Sequence, residues 1–87
     1  MATVENEMLA YIQRKLTDGA LSVTESEILD AVVPSAHPEY RSRPAYRYGL
    51  DRLRRRGLVN AIADQSGRLH YFIGPYASSE LVKSMQW

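Results

Sequence analysis

The chain reads as an α+β domain, three helices followed by a two-stranded β-hairpin, and three features carry that reading. Apolar residues recur at helical spacing in three separate stretches. Two runs rich in β-branched and aromatic residues, 58–63 and 68–73, flank the turn-forming Asp64-Gln65-Ser66-Gly67. The 87 residues, 45% hydrophobic and 24% charged, suffice for one compact core, so the whole of 1–87 is expected to be one domain.

The elements follow in order. Over 5–17, Met8, Leu9, Ile12 and Leu16 keep helical spacing with Tyr11 on the flank, and Asp18-Gly19 ends the helix. The short segment ALSV is apolar at alternate positions and predicts a small strand. Thr24-Glu25-Ser26-Glu27 matches a capping box, with Val23 placed to staple against Ile28. The second helix then runs over 25–33 and stops before Pro34. Residues 34–43 hold two prolines without periodicity and predict a loop. Pro44 suits the first turn of a third helix spanning 44–56, which Gly57 closes. Beyond the hairpin, the tail 75–87 offers Tyr76, Leu81, Val82, Met85 and Trp87 for a short fourth helix. Tyr46, Tyr71, Phe72 and Tyr11 are expected in or against the core, and Tyr40 and Tyr48 outside it.

Net charge is only +1, but it is unevenly spread. Between Arg41 and Arg68 eight arginines face Asp51 and Asp64, a balance of +6, and the rest of the chain carries −5. Such asymmetry predicts one electropositive face on an acidic body.

The order of elements resembles the winged helix-turn-helix family. The most telling piece is LDRLRRRGLVNAIADQSGRLHYFI, where Leu50, Leu53, Gly57, Leu58 and Val59 match the family's helix running straight into its first wing strand. Ser66-Gly67-Arg68 and Tyr71-Phe72 sit where the family has a polar turn, an arginine and an aromatic strand. The resemblance covers about residues 5–74 and departs at the long, proline-bearing connection between helices two and three. It implies that helix three and the wing contact double-stranded DNA.

On a helical wheel with Tyr46 at zero, Gly49, Leu50 and Leu53 lie within about 60° and form the core stripe. Tyr48, Asp51 and Arg55 point the other way, flanked by Arg47 and Arg54 on one side and Arg52 on the other. If this helix lies in a major groove, Arg47, Tyr48, Asp51 and Arg55 are the candidates for base edges, with Asp51 orienting Arg47 or Arg55 at i−4 and i+4. Arg41, Arg43, Arg52 and Arg54 are the candidates for phosphates, and Arg68 for the minor groove or backbone beside the wing. Few local carboxylates are expected to neutralise this set.

Catalysis finds little support. The two histidines, His37 and His70, have no histidine nearby, Ser78-Ser79 lack a nucleophile-elbow setting, and no phosphate loop or dinucleotide motif is present. With no cysteine, no long apolar run and no hydrophobic leader, a cytoplasmic protein without cofactor or metal is expected. Two functions remain: double-stranded DNA binding in transcription regulation, and a protein–protein adaptor whose basic face meets an acidic partner. A homodimer is expected, with Met8 and Tyr11 and the tail's Leu81, Val82, Met85 and Trp87 as candidate contacts.

Overall fold

A computed structural model describes residues 3–74. The predicted tail helix and its proposed dimer contacts lie outside the described residues. The elements are α1 (Val4–Thr17), β1 (Val23–Thr24), α2 (Glu25–Val32), a 3₁₀ turn (Pro38–Ser42), α3 (Pro44–Arg47), α4 (Gly49–Arg55), β2 (Val59–Ala63) and β3 (Leu69–Ile73). The class is α+β, with four α-helices and a three-stranded antiparallel sheet in the order β1-β3-β2 among the described residues. In β2–β3 Val59 faces Ile73 and Ala63 faces Leu69, and in β1–β3 Val23 faces Tyr71.

Capping chemistry sets the helix ends. The Thr3 hydroxyl accepts from the Asn6 N–H at 3.1 Å to open α1, and Thr24 accepts from the Glu27 N–H at 3.4 Å to open α2. Val33 turns extended directly before Pro34, as a residue preceding proline prefers. After α4, Gly57 adopts φ 76° and donates to the Arg54 carbonyl, while Leu58 donates to that of Leu53. That pair of bonds satisfies the last carbonyls of α4 and turns the chain directly into β2.

The core joins all the elements around α1. Met8 and Ile12 of α1, Val23 of β1, Ile28 of α2, Leu53 of α4 and Val59 of β2 are fully buried, with Tyr71 of β3 beside them. Among the described residues no buried side-chain polar atom lacks a partner. Met8 is therefore core, and its expected place in a dimer surface is corrected.

Three further expectations change. The strand predicted over ALSV begins only at Val23, and Leu21 is 91% exposed because the chain leaving α1 has not yet reached the sheet. Phe72 is only partly buried, because it alternates with the inward Tyr71 and so takes the opposite face of β3. The single helix over 44–56 is two, interrupted at Tyr48 with φ −107° and ψ 0°. Arg52 Nη2 donates to the Ala45 carbonyl across that junction at 3.3 Å, giving an acceptor near the end of α3 a partner.

Two glycines mark close approaches of different kinds. A Cβ on Gly49 would lie 2.8 Å from Met8 Sδ, the end of a flexible side chain. One on Gly74 would press into the Gly57 carbonyl oxygen, which is backbone and cannot yield cheaply. Urea denaturation should therefore find Gly74→Ala destabilised by about 2–3 kcal/mol and Gly49→Ala changed by less than about 1 kcal/mol, helix propensity partly compensating the latter.

Candidate nucleic-acid interface

The arginine-rich segment is more heavily paired than its sequence implies. Asp30 of α2 takes Arg41 Nη1 at 2.5 Å, tying the 3₁₀ turn to α2. Glu5 of α1 accepts from Arg52 Nε and, at 3.4 Å, from Arg56 Nη1. Asp51 accepts from Arg54 at 3.1 Å and from Arg55 at 3.0 Å. Three carboxylates thus hold five arginines, and two of the three come from distant elements that no local reading would connect. Asp51 alone of the three is local to the segment, in keeping with the expectation of few local carboxylates, and Glu5 and Asp30 add neutralisation from α1 and α2.

Pairing does not cancel the charge, because the arginines outnumber their partners. Among the described residues Arg43, Arg47 and Arg68 have no carboxylate within 4 Å. The Arg43 guanidinium instead lies 3.8 Å from the centre of the Tyr40 ring, and that of Arg47 lies 5.7 Å from the Tyr48 ring. Both contacts hold a cation on an aromatic face without neutralising it.

The candidate residues divide as follows. Arg47 and Tyr48 sit at the α3–α4 junction, Tyr48 half exposed, and Arg55 near the end of α4 with 77% of its side chain exposed. Asp51 is half-buried and holds Arg54 and Arg55, so its predicted pairing with Arg47 does not form. Arg52, expected on phosphate, turns back to Glu5 and the Ala45 carbonyl and works as an internal strut. Arg41 is likewise engaged by α2, while Arg43 and Arg68 remain exposed.

The proline-bearing connection is more ordered than a loop. The rings of His37 and Tyr40 stack with centroids 4.8 Å apart, and Tyr40 stacks with Tyr46 at 6.5 Å. Tyr40 is therefore half-buried against the core rim, where the sequence placed it outside. The spacing of aromatics on either side of Pro44 was the available signal, but aromatic content alone does not specify stacking.

At the hairpin tip, Asp64 Oδ1 accepts from the Ser66 hydroxyl at 2.6 Å, the Ser66 N–H at 2.9 Å and the Arg68 N–H at 3.0 Å. Its Oδ2 lies 2.8 Å from His70 Nε2. The carboxylate can only accept, so Nε2 carries a proton, and Nδ1 lies 2.9 Å from the Ser22 hydroxyl oxygen. His70 is thereby a strap linking the turn, β3 and the approach to β1. The Ser66 hydroxyl foremost, then the His70 imidazole and the two backbone N–H groups, hold Asp64 far below the usual carboxylate range. Burial, with the Glu25 charge adding to it, pushes the Tyr71 phenol up.

Among the described residues no group of three metal-ligating side chains converges, and no helix is long and apolar enough to cross a membrane. No protein-family model, curated protein or solved structure matches the chain.

The Asp64 contacts give stability a pH dependence. Asp64 ionises more readily folded than unfolded, so its stabilising contribution is present above about pH 4, the unfolded carboxylate value, and is lost as pH falls further. Urea unfolding at pH 5, 4 and 3 should show Asp64→Asn less stable than wild type at pH 5, with a shallower decline below pH 4. In the same assay at neutral pH, Glu5→Gln should cost about 1 kcal/mol, since it strands Arg52 and Arg56, whereas Arg55→Ala should change stability by less than about 0.5 kcal/mol.

Proposed function

We propose that this chain is a winged-helix protein that binds double-stranded DNA as a small transcriptional regulator, either sequence-specific or architectural. In this reading α4 enters the major groove and the β2–β3 hairpin lies on the adjacent backbone or minor groove. The observation that carries it is the set Arg43, Arg47 and Arg68, cations without carboxylate partners among the described residues, distributed over the α3–α4 region and the hairpin tip. The element order and the β1-β3-β2 sheet support the winged-helix reading.

Roles follow from availability. Arg47 and Tyr48, at the N-terminal end of α4, and Arg55, on its exposed side, are the residues for base edges, and Asp51 orients Arg55. Arg43 and Arg68 bind phosphate, with Arg54 joining when it swings from Asp51. Arg41 and Arg52 contribute through the fold, because leaving their carboxylates would cost part of what DNA returns. A helix with its side chains is about 10–12 Å across, which suits the roughly 12 Å width of the major groove, and at seven residues α4 is only about 10 Å long. Recognition by one chain therefore covers only a few base pairs.

Fluorescence anisotropy with a labelled random duplex at about 50 and 200 mM salt tests the reading. Wild type should lose about a thousandfold in affinity over that range if six or more phosphates are neutralised. The Arg43→Ala/Arg68→Ala variant should reduce the logarithmic salt slope by about 2, whereas Arg52→Ala should reduce it by less than about 1. Folded wild type that fails to bind at the lower salt overturns the reading, and capture of an acidic protein that duplex DNA does not displace would favour the adaptor role.

A further inference from the structure

Among the described residues, helix α1 presents a second face that the core leaves uncovered. Glu7, Ala10, Tyr11 and Arg14 line one side of a groove whose other side is Ala31 and Val32 of α2. The four α1 residues follow i, i+3, i+4, i+7 spacing and occupy about 100° of the helix surface. Glu7, Ala10 and Arg14 are exposed, Tyr11 is half-buried, and among the described residues neither Glu7 nor Arg14 has an ion-pair partner. The Arg14 guanidinium lies 5.6 Å from the centre of the Tyr11 ring, so the cation borders the apolar part of the groove.

The stripe is self-complementary. In an antiparallel pair of α1 helices whose two-fold axis passes between residues 10 and 11, Glu7 of one chain meets Arg14 of the other, twice. Ala10 meets Tyr11 twice in the same register. The rise between Glu7 and Arg14 is about 10.5 Å on both helices, so both ion pairs close at once. The small Ala10 at the axis lets the helices approach, and the partner's tyrosine ring has the Ala31–Val32 side of the groove beside it. Antiparallel helix dipoles also oppose one another favourably. An isologous contact demands this reciprocity, in which residue i meets j and j meets i.

We propose that this face binds a second copy of the chain, forming a two-fold dimer through antiparallel α1 helices with reciprocal Glu7–Arg14 pairs. The occupant is set by the charge pattern: an acidic or basic partner would satisfy one end of the stripe and oppose the other, whereas a second copy satisfies both. None of the residues lining the groove is a candidate DNA contact, so the oligomeric state is measured without DNA and can fail independently of the DNA reading.

The test is charge swapping at exposed positions, followed by sedimentation equilibrium at low salt. Wild type should dimerise. Glu7→Arg and Arg14→Glu should each weaken the dimer by about tenfold or more, because each reversal converts two attractions into two repulsions. An equimolar mixture of the two variants should recover the dimer as a heterodimer, since the wholly basic stripe of one variant then faces the wholly acidic stripe of the other. The double variant Glu7→Arg/Arg14→Glu should dimerise like wild type. Circular dichroism checks that each variant is folded, and a variant that is not is replaced by the corresponding neutral change, Glu7→Gln or Arg14→Gln, with a smaller loss expected. A wild type that stays monomeric at several hundred micromolar overturns the proposal, as do single reversals without effect or a mixture that stays monomeric.

Discussion

The complete burial of Met8 and Ile12 of α1, where α2, α4 and the sheet meet, is what the rest of the molecule is built on. The methionine sulfur occupies the space beside α4 where any larger residue at 49 would have a side chain, at 2.8 Å from an added Cβ. Met8 and Ile12 are completely buried on the face of α1 that also meets α2 and the sheet. Nearly one turn earlier on α1, Glu5 takes Arg52 and Arg56. Apolar contact thus sets how deep α4 sits, and the ion pairs set its rotation about its own axis. Those two constraints decide which arginines face water.

The arginine charge in this protein is divided unevenly among internal carboxylates. A segment with seven arginines in sixteen residues would repel itself if left bare. Glu5, Asp30 and Asp51 relieve part of that repulsion and, in doing so, rank the arginines. Those held across elements, Arg41, Arg52 and Arg56, bind the 3₁₀ turn to α2 and α4 to α1. Those held by a neighbour on the same helix, Arg54 and Arg55, give up little when they move. Arg43 and Arg47 rest on tyrosine faces, which restrict their rotamers while leaving the charge exposed. A polyanion meeting this surface would therefore find some cations already oriented, with less side-chain entropy left to lose.

The hairpin shows local turn chemistry joined to a long-range contact. Asp64 organises its own turn through Ser66 and Arg68, as an aspartate at that position commonly does. Its second oxygen then engages His70, which reaches Ser22 before β1. The tip carrying Arg68 is thereby fastened through β3 to the strand that leads into α2, so the hairpin and the helices share one set of constraints.

Helix and strand periods, the capping residues Thr24 and Pro44, the glycine turn at Gly57 and the position of the hairpin turn were legible in the chain itself. Each rests on chemistry within a few residues, which a sequence displays directly. The inward set Gly49, Leu50 and Leu53 was legible too, because helical spacing alone assigns a face. The break at Tyr48, the complete burial of Met8, the half-burial of Tyr40 and the late start of β1 were settled in three dimensions. So were the engagement of Arg52 by Glu5, 47 positions away, and of Ser22 by His70, 48 away. A carboxylate selects an arginine by distance in space, and among seven closely spaced arginines no local rule ranks one above another. Packing against α1 supplied that ranking.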